Sequence, residues 1–260
     1  MSEWSTSELT PFGLVVEGRR PGVELRAIPI TLINEWARNH HVVVLRGFAP
    51  LSGEALPGFC RGLGELLEWD FGLVNELKVE PQAQNYIYTN RSVPFHWDGA
   101  FAGRVPRYIF FHCDQAPDDG CGGETLFCDT MRLLDGTSAE ERALWQRIEI
   151  TYSTEKIVHY GGTFRSPLIC KHPDNGQSVL RFAEPVADLN PVQLEIHGMP
   201  QADQAEFLKE MEMRLRDPAV CYSHRWLSGD VVIADNYVLL HGRNQFAANA
   251  ERHIRRVIIL

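Results

Sequence analysis

The sequence predicts a mainly β chain with flanking helices, built on a double-stranded β-helix (jelly-roll) core. Three observations predict it. Short runs rich in Val, Ile, Phe and Tyr recur along the chain, and Gly and Pro punctuate the intervals between them. Helical periodicity is confined to a few segments that lie apart from the polar clusters. A parallel α/β sheet would need a helix between most strands, and the sequence does not supply them.

The elements follow in chain order. His41–Phe48 is an apolar strand, with His40 and His41 at a helix-to-strand junction, where a helix C-terminus favours partial positive charge. Ser52 can cap a helix whose Leu56, Phe59, Cys60, Leu63 and Leu67 fall on one face. Asn85–Thr89 reads as a strand, on which Tyr86, Tyr88 and Asn90 alternate to one face. Arg107–Cys113 and Glu124–Cys128 are further strands. The Asp- and Gly-rich stretch 114–123 between them lacks the regular acidic spacing of a calcium loop and reads as a plain loop. Ser138 with Glu141 forms a capping box for a helix over 139–147. Glu149–Tyr152 is a strand, and TEKIVHYGG beyond it reads as a loop or lid bearing Lys156, His159 and Tyr160, polar and aromatic groups suited to binding. Asp203 with Glu206 predicts a second capping box for a helix over 204–216, with Phe207, Leu208, Met211 and Leu215 on one stripe and Pro218 closing it. Asp230–Ala234 and His253–Leu260 complete the strands. No repeat, low-complexity tract or dividing linker interrupts this pattern, which predicts a single domain over residues 1–260.

Composition narrows the function classes. A hydrophobic fraction of 44% and a charged fraction of 23% belong to an ordinary globular chain. The net charge of −9 provides no basic footprint for nucleic acid or an anionic membrane. No run approaches the roughly 18 apolar residues that span a bilayer, and MSEWSTSELTPFG lacks the layout of a signal peptide. The six cysteines form no CxxC pair and are expected to be reduced and mostly buried, as in a cytoplasmic protein. A small-molecule substrate is the remaining expectation; the sequence does not fix an oligomeric state.

The chemistry concentrates in two places. In VPFHWDGAF, His96 and Asp98 are two positions apart, so on a strand both point to one face and can reach one ion. In DNYVLLHGRNQF, His241 follows an apolar run. An HxD alone arises often by chance or at helix caps. With a distant histidine in a β-rich chain it fits the two-His, one-carboxylate triad that holds Fe(II) and leaves three positions for a bidentate 2-oxo acid and O2. Arg252 follows His241 by eleven positions and shares a face of the last strand with Ile254 and Arg256. A cation on an inward face needs an anion, and a guanidinium binds a carboxylate through two parallel hydrogen bonds, which suits the distal carboxylate of 2-oxoglutarate. The charges of Fe(II), Asp98, the 2-oxoglutarate dianion and Arg252 sum to zero. Arg255, on the opposite face, is expected in solvent, and His112 is expected to be packed or hydrogen-bonded rather than a ligand.

With these residues in view, His96-x-Asp98, GGETLF at 122–127, GDVVIADN at 229–236, His241-Gly-Arg and Arg252 together resemble the TauD/TfdA group of Fe(II)/2-oxoglutarate dioxygenases, from VVVLRGF at 42–48 to the C-terminus. The resemblance implies His96, Asp98 and His241 as iron ligands, Arg252 as partner of the co-substrate's distal carboxylate, and Thr125 as a hydroxyl donor to it. Arg256 matches an arginine that in some relatives reaches an anionic substrate group. A narrower set, NRSVPFHWDG (90–99), TYSTEKIVHYGG (151–162), RFAEPVADLNPV (181–192) and RHIRRVIIL (252–260), is similar to the isonitrile-biosynthesis oxygenases of the PvcB type. That likeness implies a tyrosine- or tryptophan-derived isonitrile substrate, converted by oxidative decarboxylation to a vinyl isonitrile or by desaturation. Lys156, His159, Tyr160 and Tyr88 are candidate substrate contacts. Two alternatives stand beside it: a TauD-like hydroxylase of an amino acid or sulfonate, and a non-catalytic metal-binding jelly-roll module, which would have no need of Arg252 and Thr125.

Overall fold

A computed structural model describes residues 2–69, 72–157 and 160–260, with side-chain placement at 156, 157, 160 and 161 outside the description. The chain opens with β1 (Trp4–Glu8), β2 (Leu14–Gly18), α1 (Ile30–His40) and β3 (Val42–Arg46). A short α2 (Ala55–Cys60) leads to β4 (Asn75–Leu77), β5 (Val93–His96), β6 (Tyr108–Gln115) and β7 (Thr125–Asp129). The helices α3 (Thr130–Asp135) and α4 (Ala139–Trp145) precede β8 (Glu149–Ile157), β9 (Tyr160–Pro167), β10 (Ile169–Lys171), β11 (Ser178–Leu180) and β12 (Gln193–His197). The long helix α5 (Gln201–Leu215) is followed by β13 (Cys221–His224), β14 (Val231–Asp235), β15 (Leu239–Arg243) and β16 (His253–Ile259).

Two main sheets face each other as a jelly roll. The larger runs in the order β1-β2-β3-β14-β6-β16-β4, the smaller β13-β7-β15-β5. A third sheet, β12-β8-β9, and the β10-β11 pair flank them. Strand β14 shows why the central strands are continuous apolar runs: both of its faces are buried. Val231 and Ile233 pack with Ile33 and Ala37 of α1 and Leu56 and Phe59 of α2, while Val232 and Ala234 enter the inter-sheet core with Phe127, Leu239 and Ile254. Beyond the smaller sheet, Phe207, Met211 and Leu215 of α5 pack against Trp145, Ile150 and Leu240.

The Ser138–Glu141 capping box is present, with Glu141 N donating to Ser138 Oγ at 3.2 Å and Ser138 N to Glu141 Oε2 at 3.0 Å. Glu141 also pairs with Arg214 of α5, whose guanidinium lies 5.3 Å from the Trp145 ring. Ser138→Ala should therefore destabilise the protein by about 1 kcal/mol, or roughly 2–4 °C in Tm for a chain of this size. Thermal unfolding with an unchanged Tm would show that the cap contributes nothing.

Four local expectations require correction. The helix foreseen from Ser52 to Leu67 ends at Cys60. A Cβ at Gly64 would stand 2.8 Å from Ile259 Cγ2, and Leu67 N donates to Ile258 O at 3.0 Å, so Leu66 and Leu67 extend along β16 instead of completing a helical stripe. Residues 86–88 form a 3-10 turn rather than a strand, because the Asn85 side chain caps it by accepting from Ile87 N at 3.0 Å. Helix α5 starts at Gln201, before the foreseen 204; its N-cap is Pro200, and Asp203 lies within its first turn. Residues 151–157 belong to β8 and 160–162 to β9, not to a loop; Val158 and His159 lie outside the described residues.

Arg255 is buried rather than in solvent. Its Nη2 donates to Leu51 O (2.7 Å), Asp114 Oδ1 (2.7 Å) and His112 Nδ1 (3.1 Å), with His112 directly opposite it on β6. His112 is thus hydrogen-bonded, as expected of it.

Candidate active site

Antiparallel pairing of β5 with β15 sets His96 directly across from His241. Asp98 lies two residues past the end of β5, in a turn and not on the strand that the spacing suggested, and its backbone is held by one side chain. Asp98 N donates to Asn236 Oδ1 at 2.9 Å, while Asn236 Nδ2 donates to Asp98 O at 3.1 Å and Pro106 O at 2.9 Å. Gly99 then takes φ +98°, and a Cβ there would stand 2.3 Å from Arg104 O, so only glycine permits the turn that ends the motif. Asn236 was missed as a positioning residue, although it closes the quoted GDVVIADN run; nothing in that run shows that its side chain reaches Asp98 and Pro106.

His96, Asp98 and His241 offer ligand atoms that all lie within 4.8 Å of one another. His96 Nε2 is 3.8 Å from Asp98 Oδ1, and the two imidazole centroids are 4.2 Å apart. His96 Nδ1 donates to Pro94 O at 2.9 Å, which fixes the tautomer and leaves Nε2 with a free lone pair. Burial, then the nearby His96 ring, push the His241 pKa down to about 3, so that imidazole is neutral as a ligand must be. Burial would raise the Asp98 pKa, but Arg256 and the two histidines outweigh it and hold the carboxyl below its ordinary value. Two neutral imidazoles and an ionised carboxylate on convergent elements fit a divalent iron with open positions.

Two cavities adjoin this centre. One is lined by His96, His241, Thr125, Arg243, Arg252 and Arg256, with Ile87, Val93 and Phe111 among its apolar walls. Arg252 Nη2 donates to Thr125 Oγ1 (3.3 Å) and its Nε to Gly123 O (3.1 Å). Burial, with Arg243 nearby, lowers the Arg252 pKa to about 9, so it still carries its charge at neutral pH. Thr125 Oγ1 also accepts from Trp226 Nε1 at 3.0 Å, and with both lone pairs engaged its hydroxyl proton is left to donate.

The other cavity is lined by His96, Asp98, Arg256 and the aromatic side chains of Trp69, Tyr86, Phe95, Trp97, Phe101 and Tyr152, with Ala183, Val186 and Val192 beyond. Arg256 borders both cavities and donates from Nη1 to Asp98 Oδ2 at 3.1 Å. Tyr88 lines neither: in the 3-10 turn its hydroxyl swings to Asn75 Oδ1 at 3.2 Å. Trp69, Phe101 and Tyr152 were not foreseen as pocket walls: Trp69 lies in no quoted run, and Phe101 and Tyr152, though inside VPFHWDGAF and TYSTEKIVHYGG, carry nothing that shows which way their rings turn. His159 and the side chains of Lys156 and Tyr160 lie outside the described residues.

Comparison with known proteins decides the family. Residues 5–258 match the taurine catabolism dioxygenase TauD, TfdA family. The chain belongs to this family. As a TauD/TfdA member it is an Fe(II)/2-oxoglutarate-dependent oxygenase, with a jelly-roll fold. It is 46% identical over 263 residues to 3-((Z)-2-isocyanoethenyl)-1H-indole synthase of Fischerella ambigua, covering 100% of this chain and 96% of that one. Identity to tyrosine isonitrile desaturase of Pseudomonas aeruginosa is 39% over 254 residues, covering 95% and 87%. The crystal structure of PvcB from Pseudomonas aeruginosa superposes with a TM-score of 0.85 at 36% identity, covering 99% of this chain and 92% of that one. A second PvcB structure, described as an Fe, alpha-ketoglutarate dependent oxygenase from an isonitrile synthetic pathway, superposes with a TM-score of 0.83.

Proposed function

We propose that this TauD/TfdA oxygenase acts on an aromatic isonitrile acid, the isonitrile of tryptophan or tyrosine. The observation that carries the reading is the aromatic cavity, which places Trp69, Tyr86, Phe101 and Tyr152 around the same space as His96, Asp98 and the Arg256 guanidinium. An aromatic ring fits such walls, and a carboxylate fits the cation. The activities named for the Fischerella and Pseudomonas relatives support it.

In this reading His96, Asp98 and His241 hold Fe(II), Arg252 and Thr125 bind 2-oxoglutarate, and Arg256 receives the substrate carboxylate while bracing Asp98. Lys156, His159 and Tyr160 are proposed as further substrate contacts; Tyr88, turned to Asn75, is withdrawn from that set. Iron supplies the oxidising power when it binds 2-oxoglutarate and O2, yielding succinate and CO2. The protein's part would be to hold the substrate β-carbon beside the residues that would bind iron and keep the carboxylate clamped at Arg256, so that hydrogen loss is followed by loss of CO2 rather than hydroxylation. Overall, substrate, 2-oxoglutarate and O2 become vinyl isonitrile, succinate, two CO2 and water; desaturation to the unsaturated acid is the nearer alternative. The whole chain, residues 1–260, works as one such domain in the cytoplasm on a small molecule, without nucleic-acid or membrane partners. The net charge of −9 supports this, as does the lack, among the described residues, of a helix able to cross a membrane.

Anaerobic reconstitution with Fe(II) and 2-oxoglutarate, then O2 with the isonitriles of tyrosine and tryptophan, tests the reading. Mass spectrometry should show loss of CO2 and two hydrogens, with succinate formed in step. Succinate release at background, with binding no better than that of plain tyrosine, would overturn the isonitrile assignment and favour hydroxylation of an amino acid or sulfonate.

A further inference from the structure

We propose that Arg243 is a positioning residue for this oxidation: its guanidinium fixes the Tyr86–Ile87 wall that separates the substrate cavity from the co-substrate cavity. The inference rests on the assignment of the two cavities made above.

Arg243 lies two residues beyond His241 on β15 and is 7% exposed. Its described hydrogen-bond partners are three backbone carbonyls on one short segment. Nη1 donates to Ile87 O at 3.0 Å, and Nη2 to Thr89 O at 2.6 Å and Arg91 O at 2.7 Å. None of these partners is an anion, and burying a cation among neutral groups is expensive. What the fold retains in return is a planar fork that grips three carbonyls at once, a geometry that lysine cannot reproduce.

The gripped segment matters because of Ile87. Among the described residues only Ile87, His96 and Arg256 line both cavities, and Ile87 alone of these is apolar and stands outside the charged centre. Tyr86, beside it, faces the substrate cavity. A second tie holds the same segment: Asn90 Nδ2 donates to Phe246 O at 3.0 Å, and Phe246 N donates back to Asn90 O at 3.0 Å. The Phe246 ring lies 5.3 Å from the Arg243 guanidinium and 6.0 Å from that of Arg252, so the wall and the co-substrate arginine share one support.

Arg243→Lys keeps the charge and removes the fork. The iron-loaded variant should show a substrate KM raised on the order of tenfold and more 2-oxoglutarate consumed per substrate oxidised, since small misplacements near reacting atoms are costly. Its 2-oxoglutarate KM should rise clearly less than the substrate KM, because Arg252 keeps its own contacts to Gly123 and Thr125. Independently of activity, amide hydrogen exchange should quicken at residues 85–91 and stay unchanged in β14. A rise confined to the 2-oxoglutarate KM would place Arg243 in the co-substrate site and overturn the proposal. So would faster exchange with unaltered kinetics, which marks a purely structural tie, or unaltered exchange. Should Arg243→Lys fail to fold, Asn90→Ala loosens the same wall without disturbing a buried cation; the same split, smaller, supports the proposal, and its absence overturns it. Failure of the isonitrile reading itself would show in the wild-type enzyme as no substrate-dependent succinate. The exchange comparison, with the 2-oxoglutarate KM of substrate-free succinate release, would then decide on Arg243.

Discussion

Replacing His96, Asp98 or His241 by alanine is expected to abolish tight Fe(II) binding and bring turnover to background. Loss of an outer-shell partner of a metal ligand already costs roughly 10- to 100-fold in affinity, and loss of a ligand itself should cost more. The three variants should not be equal. His96→Ala and His241→Ala each remove a neutral donor, whereas Asp98→Ala removes the negative charge that favours a cation. It also strands Arg256, whose Nη1 stands 3.1 Å from Asp98 Oδ2, as an unpaired positive charge facing the metal position. Asp98→Ala should therefore be the weakest iron binder. Anaerobic equilibrium dialysis at limiting Fe(II), with circular dichroism to verify folding, measures the order. Near-wild-type iron content in any two of the three would remove the proposed centre.

The part of this site legible in the sequence was the part governed by short-range geometry. The two-residue spacing brought His96 and Asp98 to one centre, although Asp98 lies in the turn past β5 and is held there by Asn236 and not by strand geometry. The apolar runs that became β3, β6, β14 and β16 could hardly have formed anything but buried strands. The errors came where a partner distant in sequence decided the outcome. Arg255 read as a solvent residue because Asp114 and His112, which bury it, belong to β6, some 140 positions earlier. The 52–67 stripe read as a helix because nothing near it showed that β16 would need the close approach made at Gly64. Asn85–Thr89 carried strand-like aromatics, which outweighed the turn signal of Asn85, whose side chain caps the 3-10 turn. Asn236 and Arg243 stood within the quoted GDVVIADN and His241-Gly-Arg runs, but their roles were not legible: each acts by gripping backbone carbonyls of another segment, and backbone groups have no sequence signature.

Arg252→Leu is expected to raise the 2-oxoglutarate KM by roughly 30-fold or more, the equivalent of about 2–5 kcal/mol for a desolvated charge pair. Iron binding should persist, because Arg252 is not a proposed ligand and sits behind Thr125, to which its Nη2 donates at 3.3 Å. The variant should also separate co-substrate binding from stability. In the free protein the described partners of Arg252 are a carbonyl and a hydroxyl, neither of them anionic, and burial lowers its pKa to about 9. Leucine relieves the fold of that unpaired cation, so the Tm of the protein without 2-oxoglutarate should not fall. What should disappear is the rise in Tm that 2-oxoglutarate confers on the iron-loaded wild type under anaerobic conditions, since a ligand stabilises only what it binds. Thermal scans of both proteins, with and without 2-oxoglutarate, read this directly. If the leucine variant keeps both its KM and its ligand-induced shift, the distal carboxylate is held by another cation bordering the same cavity, Arg256 before Arg243, since the Arg243 Nη groups already make three bonds to carbonyls.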